Sequence, residues 1–126
     1  MKWNTIILLP VAALAMTACD RGTEDAEVSF SREVKPILEA RCGDCHAPGG
    51  KGTEKSGLVL ENYDALMRGT RLGPVVQPGN AISSTLYLVV AGKADRSIRM
   101  PHGDSELSEQ EVATIERWID QGANNN

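Results

Sequence analysis

Five consecutive residues concentrate the reactive chemistry of this chain: Cys42-Gly43-Asp44-Cys45-His46. Two thiols three positions apart, with an imidazole directly after the second, form the C-x-x-C-H spacing of covalent c-type haem attachment. Each thiol can add to a haem vinyl group as a thioether, and the adjacent histidine can then supply a nitrogen ligand to the iron. Two other chemistries use the same residue types. Zinc could draw on Cys42, Cys45, His46 and His102, although structural zinc ligands come as spaced pairs and Cys45 and His46 are neighbours. A thioredoxin-like dithiol calls for a βαβ setting, which the pattern of helices and loops here lacks.

A haem iron used for electron transfer needs a second axial ligand, and one used for chemistry needs an open site. Met100 and His102 stand together in a polar stretch, with Pro101 between them to stiffen it. A thioether on the sixth side raises the reduction potential relative to two histidines. Met67 is the other methionine beyond the N-terminal run, but its spacing with Leu66 suits a helix facing the core.

The elements around these residues must hold them. The chain has 126 residues, room for one small domain, and only five are aromatic. A domain of this size buries about two-thirds of its surface, so a large flat apolar group would help to fill it. Thirteen basic residues against seventeen acidic ones give a net charge of -4. No cluster of Lys and Arg exists, which argues against nucleic acid as a partner. The acidic balance favours a protein partner with a basic docking patch.

Residues 1–18 read as an export signal. Lys2 begins them and the apolar run Ile6 to Ala18 follows, too short to span a bilayer as a helix. Leu14-Ala15-Met16-Thr17-Ala18-Cys19 also resembles a bacterial lipoprotein signal, in which the cysteine becomes the first residue and carries lipid. Asp20 after it favours retention at the inner membrane. On this reading several acyl chains on Cys19 anchor the protein on the periplasmic side. Cys19 would then carry lipid and Cys42 and Cys45 haem, leaving none of the three cysteines free. Residues 19–28 are polar and acidic and read as a flexible tether, 29–123 as the domain, and 124–126 as a disordered tail.

Within the domain, Ser29 or Ser31 can cap a helix that carries Phe30, Val34, Ile37 and Leu38 on one face and runs into Cys42. Pro36 is tolerable there only near the first turn. Residues 47–57, with four glycines and Pro48, read as a surface loop; the phosphate-binding G-x-x-x-x-G-K-[ST] spacing is missing. Residues 61–68 suit a short helix ended by Gly69. Asn80 can cap another over 81–90 that buries Ile82, Leu86, Val89 and Val90, with a strand as the competing form. Ser108-x-x-Glu111 is a capping box, and Val112, Ile115, Trp118 and Ile119 make one apolar face behind it.

Taken in order, Phe30-x-x-x-Val34-x-Pro36-Ile37-Leu38, Cys42-x-x-Cys45-His46, Gly57-Leu58-x-Leu60, Gly73-Pro74, Pro78-Gly79-Asn80, Ser84, Arg99-Met100-Pro101, Leu107-Ser108 and Trp118-Ile119-x-x-Gly122-Ala123 resemble the planctomycete-type cytochrome c domain. That resemblance implies an all-α, class I cytochrome c-like fold of three to five short helices wrapped around one covalent haem c. It implies His46 as the proximal and Met100 as the distal ligand, and a protein that moves single electrons between redox partners without transforming a substrate. By the same likeness the Pro74 carbonyl would accept the other ring N–H of His46, and Arg99 or Arg71 would pair with a haem propionate. An enzyme or gas sensor with a labile sixth ligand, or a haem subunit of a larger oxidoreductase, is the alternative. Dihaem peroxide reduction would need a second C-x-x-C-H, and the chain has one.

Overall fold

The computed structural model describes residues 26–103 and 105–126. Five helices follow one another: α1 (Lys35–His46), α2 (Lys51–Ser56), α3 (Tyr63–Arg68), α4 (Thr85–Val90) and α5 (Glu109–Asp120). Loops with 3₁₀ turns at Ala81–Ser83 and Arg96–Ile98 join them. No strand occurs among the described residues, where a single bridge pairs Thr70 with Gly73. The all-α expectation holds. The apolar run 6–18, Cys19 and Asp20 lie outside the described residues. No described helix is long and apolar enough to cross a membrane.

A π-helical turn, Phe30–Val34, leads into α1. The Ser29 hydroxyl accepts from the Arg32 N–H, while Glu33 accepts from the Ser29 N–H at 2.8 Å. Pro36 falls within the first two positions of α1. There its missing N–H faces the wide π turn rather than a regular α-helical one, so the helix runs on to His46.

Helix α5 is the amphipathic element that closes the core. Its capping box forms as the Ser108 and Glu111 spacing predicts. Ile115, Trp118 and Ile119 are fully buried, against Val28, Val34, Leu38 and Leu66. Trp118 packs with Phe30 and Tyr63, at ring-centroid distances of 5.4 and 6.4 Å. Phe30 meets Tyr63 edge to face at 5.3 Å. Three of the five aromatic residues thus form one cluster, so protein side chains fill this part of the core. Both polar tips are satisfied: Trp118 Nε1–H donates to the Asn124 carbonyl and Tyr63 O–H to the Ala123 carbonyl.

Three expectations need correction. Residues 124–126 are not a disordered tail. The Asn126 side chain accepts from the Phe30 N–H at 2.7 Å and donates to the Val28 carbonyl, and its own carbonyl accepts from the Ser31 N–H. The terminal asparagines carry side-chain amides that can serve a neighbouring segment: Asn126 pairs with its backbone, and Asn124 donates to the Glu27 carboxylate. For the same reason the end of the 19–28 tether belongs to the fold. Val28 is buried, and its N–H donates to the Gln121 side chain, whose amide donates to the Ala26 carbonyl. Finally, the 81–90 helix is broken at Ser84, and Ile82 is 71% exposed. The buried Ser84 hydroxyl donates to the Asn80 carbonyl and accepts from the Gln77 N–H, competing locally with helical pairing.

Candidate haem site

The two thiols and the imidazole occupy the last turn of α1. Positions 42, 45 and 46 stand three and four residues apart, so their side chains leave neighbouring faces of the helix. Cys42 and Cys45 are both free thiols, the first half-buried and the second exposed. The helix end is fastened to α5 one residue before Cys42. Arg41 grips Glu111 with two bonds, Nε to Oε1 at 2.9 Å and Nη2 to Oε2 at 3.2 Å. That contact raises the Arg41 pKa and holds the Glu111 carboxyl below its ordinary range, with help from the Ser108 N–H.

His46 is buried at 7% exposure. Its Nδ1 lies 3.1 Å from the Leu58 carbonyl. A carbonyl only accepts, so Nδ1 carries the proton and the lone pair of the neutral ring sits on Nε2. That is the tautomer a metal-ligating histidine needs. The carbonyl is that of Leu58 and not of Pro74. The reason is local: the Leu60 N–H donates to the His46 carbonyl at 2.9 Å, which folds residues 58–60 back over the end of α1. Pro74 is exposed, and the preceding Gly73 carbonyl is taken by the Thr70 N–H and hydroxyl.

The stretch 47–57 is not the plain loop its glycines suggest, because it contains α2. Gly57 closes this helix in the left-handed conformation at φ 81°. Arg71 donates to the last carbonyls, Lys55 at 2.9 Å and Glu54 at 2.7 Å, so its guanidinium serves the helix end instead of a propionate. Helix α2 lies against His46. A Cβ built on Gly52 would stand 2.8 Å from both Cε1 and Nε2 of the ring. Any side chain at position 52 would collide with the ring, so the α2 backbone itself packs against the Nε2 edge.

Met100 and Arg99 sit half-buried on the 93–107 strap. The Met100 N–H donates to the Val89 carbonyl, and Arg99 Nε donates to the Ala94 carbonyl at 3.0 Å. Both residues line a cavity of about 600 Å³ with Val89, Val90, Leu107 and Val112. His102 also borders it but is exposed. The cavity walls do not include Cys42, Cys45 or His46. Met67 packs against the core from α3. Among the described residues no group of three or more His, Cys, Asp or Glu side chains is placed to hold a metal ion.

This donor set suits a covalent haem: two unpaired thiols on one helical turn, and a histidine whose Nδ1 is engaged by a carbonyl, so that Nε2 is the ring nitrogen that would hold the iron. The arrangement also makes the thiols unequal. Burial, and then the neighbouring Cys45, push the Cys42 thiol up to about 11. In haem-free protein at pH 8, alkylation with iodoacetamide should mark Cys45 first. Cys42 should lag an ordinary free thiol by roughly two orders of magnitude and speed up as pH climbs toward 11. Peptide mapping after timed quenching reads the order; equal rates would mean that the last turn of α1 is open.

A small all-α domain that ends its first long helix in C-x-x-C-H is a cytochrome c in architecture. The model of the planctomycete cytochrome c family matches residues 42–104, half of the chain, and the chain belongs to that family. The matched stretch runs from the first thiol through the Met100 strap. Comparisons with curated proteins and with solved structures found no match. Family membership makes this a haem-binding electron-transfer protein of the cytochrome c type, with covalent haem c as its cofactor.

Proposed function

We propose that the chain is a monohaem cytochrome c, attached through Cys42 and Cys45, that passes single electrons between redox proteins on the periplasmic side of a bacterial membrane. His46 and Met100 serve as axial ligands. The observation that carries this reading is the buried His46 ring, oriented by the Leu58 carbonyl so that Nε2 presents its lone pair. When bound, haem c supplies a one-electron iron couple. The residues do the rest. Cys45, being exposed, keeps one attachment point at the surface, where a partner protein can approach. Cys42 fastens the other against the core. Met100, held by its backbone bond to Val89, offers a thioether from a strap independent of α1. Arg99 borders the same cavity and would balance propionate charge there. Cys19 carries the lipid that keeps the domain at the membrane, with Asp20 favouring the inner one.

The test is expression with haem-maturation machinery, followed by a denaturing gel stained for covalent haem. The unsubstituted protein should stain. The double variant Cys42→Ser/Cys45→Ser should lose covalent haem entirely, and each single variant most of it. Undiminished stain in the double variant would refute the attachment.

A further inference from the structure

Thr53 performs a task that neither helix propensity nor solvation explains. It lies in α2, within the stretch whose glycines suggest a plain loop. Threonine in a helix ordinarily turns its hydroxyl back to the carbonyl three or four residues earlier. Thr53 does not. Its Oγ1 lies 2.9 Å from the Ala47 carbonyl and 2.8 Å from the Leu58 carbonyl, six residues back and five residues on. Those two carbonyls flank the haem-attachment turn, one directly after His46 and the other against its ring.

The hydroxyl has one proton and both neighbours only accept. The Ala47 carbonyl already receives the Gly50 N–H at 2.9 Å. The Leu58 carbonyl receives His46 Nδ1–H, at the longer distance of 3.1 Å. The proton of Thr53 can go to either carbonyl, and whenever it goes to Leu58 the two donors share that oxygen. An acceptor already engaged by a hydroxyl is a weaker acceptor for a second donor. In that arrangement the His46 N–H bond is weaker than it would be alone, and less electron density reaches Nε2.

We infer that Thr53 is a positioning residue that tunes the axial histidine through the shared Leu58 carbonyl and thereby raises the reduction potential of the site. This rests on His46 being the proximal ligand. A less electron-rich imidazole stabilises ferric iron less, so the reduced form is favoured. Removing the hydroxyl frees the Leu58 carbonyl for His46 alone and shifts the balance the other way.

The experiment is redox titration of the haem-loaded protein and its Thr53→Val and Thr53→Ser variants, with melting curves alongside. Thr53→Val should lower the potential, with about a threefold higher ferric-to-ferrous ratio at a fixed ambient potential, ~28 mV for one electron. Thr53→Ser, which keeps the hydroxyl, should match the parent. In the reduced proteins the His46 Nδ1 proton should move downfield in Thr53→Val, as its bond strengthens. Equal potentials in all three, with only the melting temperature of Thr53→Val reduced, would overturn the inference and leave Thr53 as a pin for α2. If Thr53→Val takes up no haem, the parent decides. A slowly exchanging Thr53 hydroxyl proton with a cross-peak to the His46 Nδ1 proton supports the inference, and a fast-exchanging one overturns it. Failure of the ligation itself reads differently: the parent would then lack the resonances of an iron-bound imidazole, whatever Thr53 does.

Discussion

Met100→Ala should leave covalent haem in place and change its iron centre more than any other single substitution on the strap. On the proposed ligation by His46 and Met100, loss of the thioether opens the sixth position. The weak thioether-to-iron band of the ferric protein should vanish, and the reduced protein should bind carbon monoxide rapidly at neutral pH. The potential should fall on the order of a hundred millivolts, a fraction of the ~0.8 V that axial ligation spans. The structure supports this choice over the two other candidates. Met100 is half-buried at a cavity and held by the Val89 carbonyl. His102 is exposed, and Met67 is packed against the core in α3. His102→Ala is therefore the control and should leave spectrum and potential alone. A thioether band that survives Met100→Ala would hand the role to Met67. Rapid carbon monoxide binding by the unsubstituted protein would favour an open-site enzyme or sensor.

Trp118→Ala should be the most destabilising substitution in the core. The ring is fully buried, packs with Phe30 and Tyr63, and donates Nε1–H to Asn124. Truncation of such a side chain costs about 3–5 kcal/mol. A small domain holds only about 5–15 kcal/mol in all, so a large share of its margin would go. The loss should propagate beyond the cavity. Residues 123–126 are tied to Trp118 and Tyr63, and the terminal asparagine is tied to Val28, Phe30 and Ser31 around the turn that leads into α1. Urea unfolding of the haem-loaded protein measures the cost, and Trp118→Phe should recover more than half of it. A loss under about 1 kcal/mol would mean that the aromatic cluster is not the centre of the core.

Some of this is local and could be read along the chain. The C-x-x-C-H run states its chemistry in five adjacent residues, because the spacing of thiols and imidazole is covalent. The α5 helix is legible for a similar reason. Ser108 and Glu111 satisfy each other's backbone within one turn, and Ile115, Trp118 and Ile119 repeat at the helical period. The order of short motifs led to the family, and the match over residues 42–104 agrees with it.

Other features depend on partners distant in sequence or on several weak preferences acting together. The glycines of 47–57 hide α2, which is short and exists because Gly57, Arg71 and the His46 ring terminate and back it. Position 82 carries an isoleucine at helical spacing, yet a buried serine two residues on breaks the helix and leaves it exposed. The asparagine tail looks like solvated coil until residues 28–31 are laid beside it.

By itself, the sequence determined the C-x-x-C-H run, the helical class of the fold and the family. Only the tertiary structure decided what holds His46. A histidine's partner is chosen by whichever carbonyl the folded backbone brings to its ring, and here the return of residues 58–60 brings Leu58, with Thr53 beside it, ahead of Pro74.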